Sequence, residues 1–321
     1  MDAAVRTEGL VKEFGTIRAL DELSLEVQAG TVFGFLGPNG AGKTTTIRIL
    51  TGLAHATRGK AWAAGVEVSG DGGKTARHIG YLPEEPAFYG WLNPREYLEH
   101  VGRVFGIPAD ERIKRAKELL GLVGLTEDSK RRIAGFSRGM RQRLGLAQAL
   151  VNQPEVLFLD EPVSALDPAG RKEVLELIEQ MQGKCTVFMS THILADVERI
   201  CDSVGIINHG KMVSMAPRQE LLERYAVPAI ELAVEAPQQA QLAAWAEGIR
   251  SLTWVKSCTR DEAVLRVIVS ELETAKVQLL ASALQAGLVL ERYEVVRPSL
   301  EDVFLQLVNG TELASQEGRQ S

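Results

Sequence analysis

Two kinds of apolar run alternate along the first two thirds of the chain. Short, nearly unbroken runs, "TVFGFLG", "EVLFLDEP" and "KCTVFMSTH", predict buried strands. "SLEVQAG" and "RHIGYLP" predict further strands, the second ended by Pro83. Between them lie runs with helical spacing. "KTTTIRILTGL" predicts a helix that starts at Lys43. From Asn93 to Leu150 strand signals nearly vanish, and "NPREYLEHVGRVFG", "ADERIKRAKELLGLVG" and "GMRQRLGLAQALV" predict helices, with Pro94 suited to a first turn. "VGIINHGKMVSMA" predicts two short strands around the His209-Gly210 turn. Strands alternating with helices imply a mostly parallel sheet covered on both faces.

Near Pro228 the pattern changes. "AIELAVEA" predicts a strand, "PQQAQLAAWAEG" a helix, "LTWVKSCT" and "EAVLRVIV" two strands, "ELETAKVQLLASALQAG" a helix and "LVLERYEVV" a strand. That β-α-β-β-α-β order is the ferredoxin-like pattern. "SLEDVFLQLVNG" predicts one more helix capped at Ser299, and the polar end "TELASQEGRQS" predicts a flexible tail.

Composition narrows the function classes. The net charge of −6 over 321 residues gives no electrostatic support for binding nucleic acid. Three scattered cysteines, Cys185, Cys201 and Cys258, form neither a disulfide framework nor a zinc site. The opening "MDAAVRTEGL" lacks the basic and apolar regions of a signal peptide, and no run is long enough to span a bilayer. A role at a membrane would need another chain to supply the spanning helices.

The glycine-rich stretch after the first buried strand carries chemistry. Gly37, Pro38, Asn39, Gly40, Ala41, Gly42, Lys43, Thr44 and Thr45 spell Gly-x-x-x-x-Gly-Lys-Thr between a strand and a helix. Glycines let successive N–H groups curl into one concavity, and the helix adds its positive end. This is a P-loop: Lys43 reaches the β- and γ-phosphates of a nucleotide, and the Thr44 hydroxyl ligates Mg²⁺. Further on, the strand Val156–Leu159 ends in two acids. Asp160 suits a Mg²⁺-holding role, and Glu161 suits orienting or deprotonating an attacking water.

With these motifs the chain resembles the ATP-binding-cassette (ABC) ATPases from about Val5 to Ala216. The most specific element is "FSRGMRQRLGLAQAL", similar to the family signature Leu-Ser-Gly-Gly-Gln followed by Arg-Gln-Arg. Ser137 and Gly139 match it, whereas Arg138 and Met140 depart from it. The resemblance implies further roles: Asp167 in "SALDP" at a dimer seam, His192 in "STH" as the switch histidine at the γ-phosphate, and Phe14 stacked on adenine. Phe14 as a packing aromatic is the alternative. Where the family carries its Q-loop glutamine this chain has Glu84, which can still reach Mg²⁺ as a metal ligand but adds negative charge beside the triphosphate.

The resemblance implies an α/β P-loop cassette at residues 1–225, with a RecA-like core sheet and a helical subdomain at about 90–150. An α+β, ferredoxin-like accessory domain follows at 226–310, and a flexible tail at 311–321. It also implies a homodimer of cassettes closed head-to-tail around two ATP and Mg²⁺, because Ser137 caps the nucleotide of the opposite protomer. The partner is an integral membrane permease that binds the transported substrate, with the chain cytoplasmic, peripheral on the inner face of the cell membrane. The aromatics of "AFYGWL" fit either hinge packing or a groove for that permease. "RPSLEDVFLQL" resembles the tail of type-2 exporter ATPases, and the accessory domain suits a regulatory or dimer-stabilising role. A non-transport or regulatory ABC ATPase is the alternative reading.

Overall fold

The computed structural model describes residues 3–68, 73–164, 166–224, 228–296, 299–304 and 307. It divides into two compact units, one built from residues up to Gln219 and one from Glu220 to Asn309. The first begins with β1 (Ala3–Phe14), β2 (Ile17–Gln28) and β3 (Val32–Leu36), followed by α1 (Lys43–Leu50). Then come β4 (Arg58–Ala63), β5 (Val66–Glu67) and β6 (Ile79–Leu82), and the helices α2 (Pro94–Val104), α3 (Ala109–Leu122) and α4 (Arg138–Ala149). It continues with β7 (Val156–Asp160), α5 (Pro168–Glu179), β8 (Thr186–Thr191), α6 (Leu194–Ile200), β9 (Ser203–Asn208) and β10 (Lys211–Pro217). α7 (Arg218–Arg224) spans the division. The second unit holds β11 (Ala229–Val234), α8 (Gln239–Ile249), β12 (Val255–Asp261), β13 (Val264–Val269), α9 (Leu272–Gln285) and β14 (Leu290–Val296).

The main sheet has the order β10-β9-β3-β8-β7-β6. All neighbours pair in parallel except the edge strand β10. Every residue of β3, β7 and β8 is buried, as their unbroken apolar runs require. Register is pinned by a row of rings: Phe33, Phe188 and Phe158 are direct partners across β3, β8 and β7. Their centroids lie 5.1 and 5.6 Å apart in sequence along that row. The same register sets Leu36 opposite Thr191 and Asp160 opposite Ser190, so three strands end level with one another. Gly34 lets α6 approach β3, since a Cβ there would lie 2.8 Å from Val197 Cγ1 and 2.9 Å from Cys201 Sγ.

A second sheet, β2-β1-β4-β5, is antiparallel; the hydrophobic pattern pointed to the end of β2, in "SLEVQAG", but not to β1 or β4. The reason lies in β1. Its pairing with β2 shifts register four times, and Leu10 and Val11 are both buried although adjacent. Such bulges erase the alternation that marks a half-buried strand.

The second unit has the sheet order β12-β13-β11-β14 with every pair antiparallel, the arrangement expected of β-α-β-β-α-β. Ile230, Leu232, Val234, Leu265, Val267 and Val269 form its core with Leu242, Trp245 and Leu279 of the two helices. The alternate residues Glu231 and Arg266 pair with each other, and with Arg292 and Asp302 respectively. Ser299 and Asp302 cap the final helix reciprocally: Asp302 N donates to Ser299 Oγ, and Ser299 N to Asp302 Oδ2. The sequence expectations for residues 297–298 and 308–321, the tail among them, lie outside the described residues.

Candidate active site

The P-loop curls because two of its glycines take backbone angles that side chains resist. Gly40 has φ +80° and Gly42 φ +111°. A Cβ on Gly42 would also meet Leu20 Cδ2 at 2.7 Å and Ala19 O at 2.8 Å. Gly42 serves as the N-cap of α1 and has no side chain to satisfy its first-turn N–H groups, which leaves them for a ligand. Lys43 is buried, and its ammonium donates to Gly37 O at 2.7 Å and Pro38 O at 3.3 Å. The loop residues Pro38, Asn39, Gly40, Gly42, Lys43, Thr44 and Thr45 line a cleft of about 360 Å³. Glu84, Glu161 and His192 line the same cleft. Gly37 and Ala41 support the loop from behind, and a Cβ on Gly37 would lie 2.4 Å from Ile207 O.

Residues 44, 160 and 190 come from segments at the ends of three adjacent strands. Thr44 Oγ1 donates to Asp160 Oδ1 at 3.1 Å, and Ser190 Oγ donates to the same oxygen at 2.7 Å. Asp160 is 2% exposed. Burial pushes its carboxyl pKa above the ordinary value, and the two hydroxyls oppose that rise. Glu161 stands at φ +47°, a strained position for a side-chain-bearing residue. Two bonds hold it there, from Glu161 N to Ser190 O at 3.2 Å and to Ser190 Oγ at 3.0 Å. Its carboxylate bridges two cleft residues: Oε1 lies 3.2 Å from Lys43 Nζ, and Oε2 lies 2.9 Å from His192 Nδ1. Ser190 therefore organises both acids. The sequence reading passed over it, although it stands two places before His192 in "STH".

The donor set suits a hard divalent cation. A hydroxyl and a carboxylate from Thr44 and Asp160, with the Glu84 carboxylate in the same cleft, offer oxygen only. No cluster of three or more metal-ligating side chains occurs among the described residues. Mg²⁺ takes one or two carboxylates together with substrate phosphates, which the oxygens of Thr44, Asp160 and Glu84 can complete.

Asp160, Gly37 and Ala41 sit behind the cleft lining, whereas Phe14, Ser137, Gly139 and Asp167 belong to other parts of the unit. Phe14 ends β1, 54% exposed, with Lys12 Nζ 4.8 Å from its ring centroid. Ser137 caps α4, accepting from Met140 N at 3.2 Å. Asp167 caps α5, accepting from Gly170 N at 3.1 Å. A Cβ on Gly139 would lie 3.9 Å from Leu166 Cδ2, so the start of α4 adjoins the turn that carries Asp167. Arg138 pairs with Glu85 at 3.5 Å, beside Glu84. A larger groove, about 640 Å³, runs between residues 84–90 and 133–142 and includes Phe88, Phe136, Arg138 and Arg141.

Comparison with known proteins places this geometry. A family model for "ABC transporter" matches residues 20–164, and one for "ATP-binding protein DrrA1-3-like, C-terminal domain" matches residues 217–308. The chain is 37% identical over 302 residues to the uncharacterized ABC transporter ATP-binding protein YxlF of Bacillus subtilis (strain 168), covering 94% of this chain and 98% of that one. The chain belongs to the ABC transporter ATP-binding proteins. The linearmycin resistance ATP-binding protein LnrL of the same organism is 35% identical, over 96% of this chain and 99% of that one. The dimeric structure of MJ0796, a bacterial ABC transporter cassette, matches the fold with a TM-score of 0.60 at 24% identity, over 66% of this chain and 98% of that one. The first unit is thus a RecA-like P-loop ATPase core, and the second a distinct α+β subdomain. The protein is an ATP-binding and ATP-hydrolysing cassette of an ABC transporter, related to ATP-binding proteins of antibiotic resistance. No helix among the described residues is long and apolar enough to cross a membrane.

Proposed function

We propose that two copies of this cassette close head-to-tail around two Mg-ATP and drive export of a substrate bound by a separate membrane permease. The observation that carries the hydrolytic part is the Lys43–Glu161–His192 chain of contacts inside one cleft. The antibiotic-resistance relative and the DrrA-like second unit support export. The dimeric form of MJ0796 supports pairing of cassettes. So does the position of Ser137 and Gly139, outside their own chain's cleft, where a partner's nucleotide could use the uncapped donors of α4. The groove beside Phe88 and Phe136 suits the permease, which would hold the cassette at the inner face of the membrane. Residues 1–225 and 226–310 are taken as the two domains, with 90–150 as the helical subdomain.

In this reading the P-loop N–H groups and Lys43 bind the β- and γ-phosphates. Mg²⁺, held by Thr44 and Asp160 with Glu84 nearby, neutralises charge on the same phosphates when bound. Glu161 accepts a proton from the water that attacks the γ-phosphorus, and ADP leaves. His192 orients Glu161 and donates toward the γ-phosphate. Phe14 stacks on adenine, and Asp167 lies at the seam. Lys43→Ala tests the assignment through nucleotide affinity of the purified protein. Binding should be lost with the main cation facing the phosphates, and wild-type affinity would refute the site. Steady-state ATPase activity reconstituted with the permease tests the coupling to transport.

A further inference from the structure

The turn that holds Asp167 and the segment that holds His192 each lead into a helix, and an ion pair between a half-buried arginine and a buried carboxylate fastens those helices together. Asp167 caps α5, and Arg171 stands one turn on, its N–H donating to Asp167 O at 2.9 Å. His192 precedes α6, and Asp196 lies in the first turn of that helix, which has no side-chain cap. Arg171 Nε donates to Asp196 Oδ1 at 2.8 Å, and Nη2 reaches the same oxygen at 2.7 Å. Asp196 is 1% exposed, and its Oδ2 is buried without a hydrogen-bond partner. Arg199 and Glu176, nearer the surface, join the same two helices at 3.5 Å.

A buried carboxylate with one oxygen unsatisfied is costly, and apolar residues of similar volume usually replace such a pair at little loss. Both helices already bury apolar residues of their own, Val174 and Ile178 on α5, Val197 and Ile200 on α6. Stability alone gives a poor account of this pair. Its position gives a better one. It links the capped turn at Asp167 to the helix whose entry carries His192, and the His192 ring in turn contacts Glu161 at 2.9 Å.

We propose that Arg171 and Asp196 are positioning residues that transmit the seating of the Asp167 turn to His192 and thereby keep the imidazole on Glu161. Neither residue lines the cleft, so they act through His192 and not on the nucleotide. The inference rests on the hydrolytic roles given above to His192 and Glu161.

The test replaces the pair together, Arg171→Met with Asp196→Leu, so that no orphaned charge remains. The expected result is a kcat for ATP hydrolysis lowered on the order of 10–100-fold, the scale of a small misplacement of a catalytic group. The KM for ATP and the thermal midpoint should stay near wild type. In a His192→Ala background the same double change should cost nothing further, because the pair works through that ring. A wild-type kcat in the pair variant, or losses that multiply with His192→Ala, overturns the proposal. If the double variant does not fold, Asp196→Leu alone, which removes the acceptor while the half-buried Arg171 can turn to solvent, decides by the same kcat criterion. His192→Ala alone separates the two levels. Full activity there removes the underlying reading, whereas loss there with full activity in the pair variant removes only the role of Arg171 and Asp196.

Discussion

At the scale of single residues, Glu161 concentrates the chemistry. It is held in a left-handed backbone conformation, and its two oxygens face a lysine and a histidine. Glu161→Gln keeps shape and hydrogen-bonding capacity but removes the base. Hydrolysis should fall by ~10²–10⁴-fold, while binding persists and the ATP-bound dimer accumulates, visible as a mass shift in light scattering. Asp160 gives a pH-linked expectation. Burial raises its folded pKa above the unfolded value, so the protonated form favours folding. That contribution is full below the ordinary carboxylate pKa and lost as pH rises through the raised one. At neutral pH the ionised group therefore costs stability. Asp160→Asn should raise the thermal midpoint of the nucleotide-free protein at pH 7 and leave it unchanged in acid, while abolishing the Mg²⁺ dependence of ATP binding. A lowered midpoint at pH 7 would show that the hydroxyls of Thr44 and Ser190 outweigh the burial cost. Phe14 is exposed, and Lys12 Nζ lies over its ring. Phe14→Ala should weaken ATP binding by about 1–3 kcal/mol, on the scale of base–aromatic stacking, and leave inorganic triphosphate binding unchanged. Equal weakening of both would return Phe14 to a packing role.

At the scale of elements, the level ends of β3, β8 and β7 bring together residues more than a hundred positions apart. In the proposed dimer, α4 is the element whose role depends on a second chain. Ser137 satisfies one N–H of its first turn and no acidic residue lies in that turn, so the helix dipole meets no negative charge from the helix itself. Ser137→Arg, added to Glu161→Gln, should abolish the ATP-dependent dimer by placing a bulky cation where the partner's γ-phosphate must dock. Nucleotide binding by the monomer should persist, since the P-loop is untouched. A double variant that dimerises as well as the single one would rule out head-to-tail closure. Removing the cap alone costs about 1 kcal/mol of helix stability, so circular dichroism should show the fold intact.

At the scale of the whole molecule, two units each hold their own apolar core, one under the main sheet and one under the four-stranded sheet. Calorimetry should resolve two transitions. Mg-ATP at about 100 times its Kd should stabilise the cleft-bearing unit by about 2.7 kcal/mol in the Glu161→Gln variant and leave the other transition in place. Much of this organisation was legible in the sequence. The P-loop glycines, the paired acids Asp160-Glu161 and the β-α-β-β-α-β rhythm are local patterns, written in consecutive residues because backbone curvature and periodicity are local properties. The bulged strand β1 was not legible, since its register shifts scramble the alternation that would announce it. Ser190 was not legible as an organiser of the site either, because its significance depends on which strand lies between β3 and β7. The Arg171–Asp196 pair joins residues 25 positions apart that no local pattern connects. The sequence by itself determined which groups are available, a P-loop with its lysine and a strand ending in two acids, because those features rest on residue type and immediate neighbours. Only the tertiary structure decided which of them meet. Strand order and register are set by how rings and apolar faces pack across the sheet, and that packing brought Lys43, Glu161 and His192 into one cleft while leaving Ser137 and Asp167 outside it.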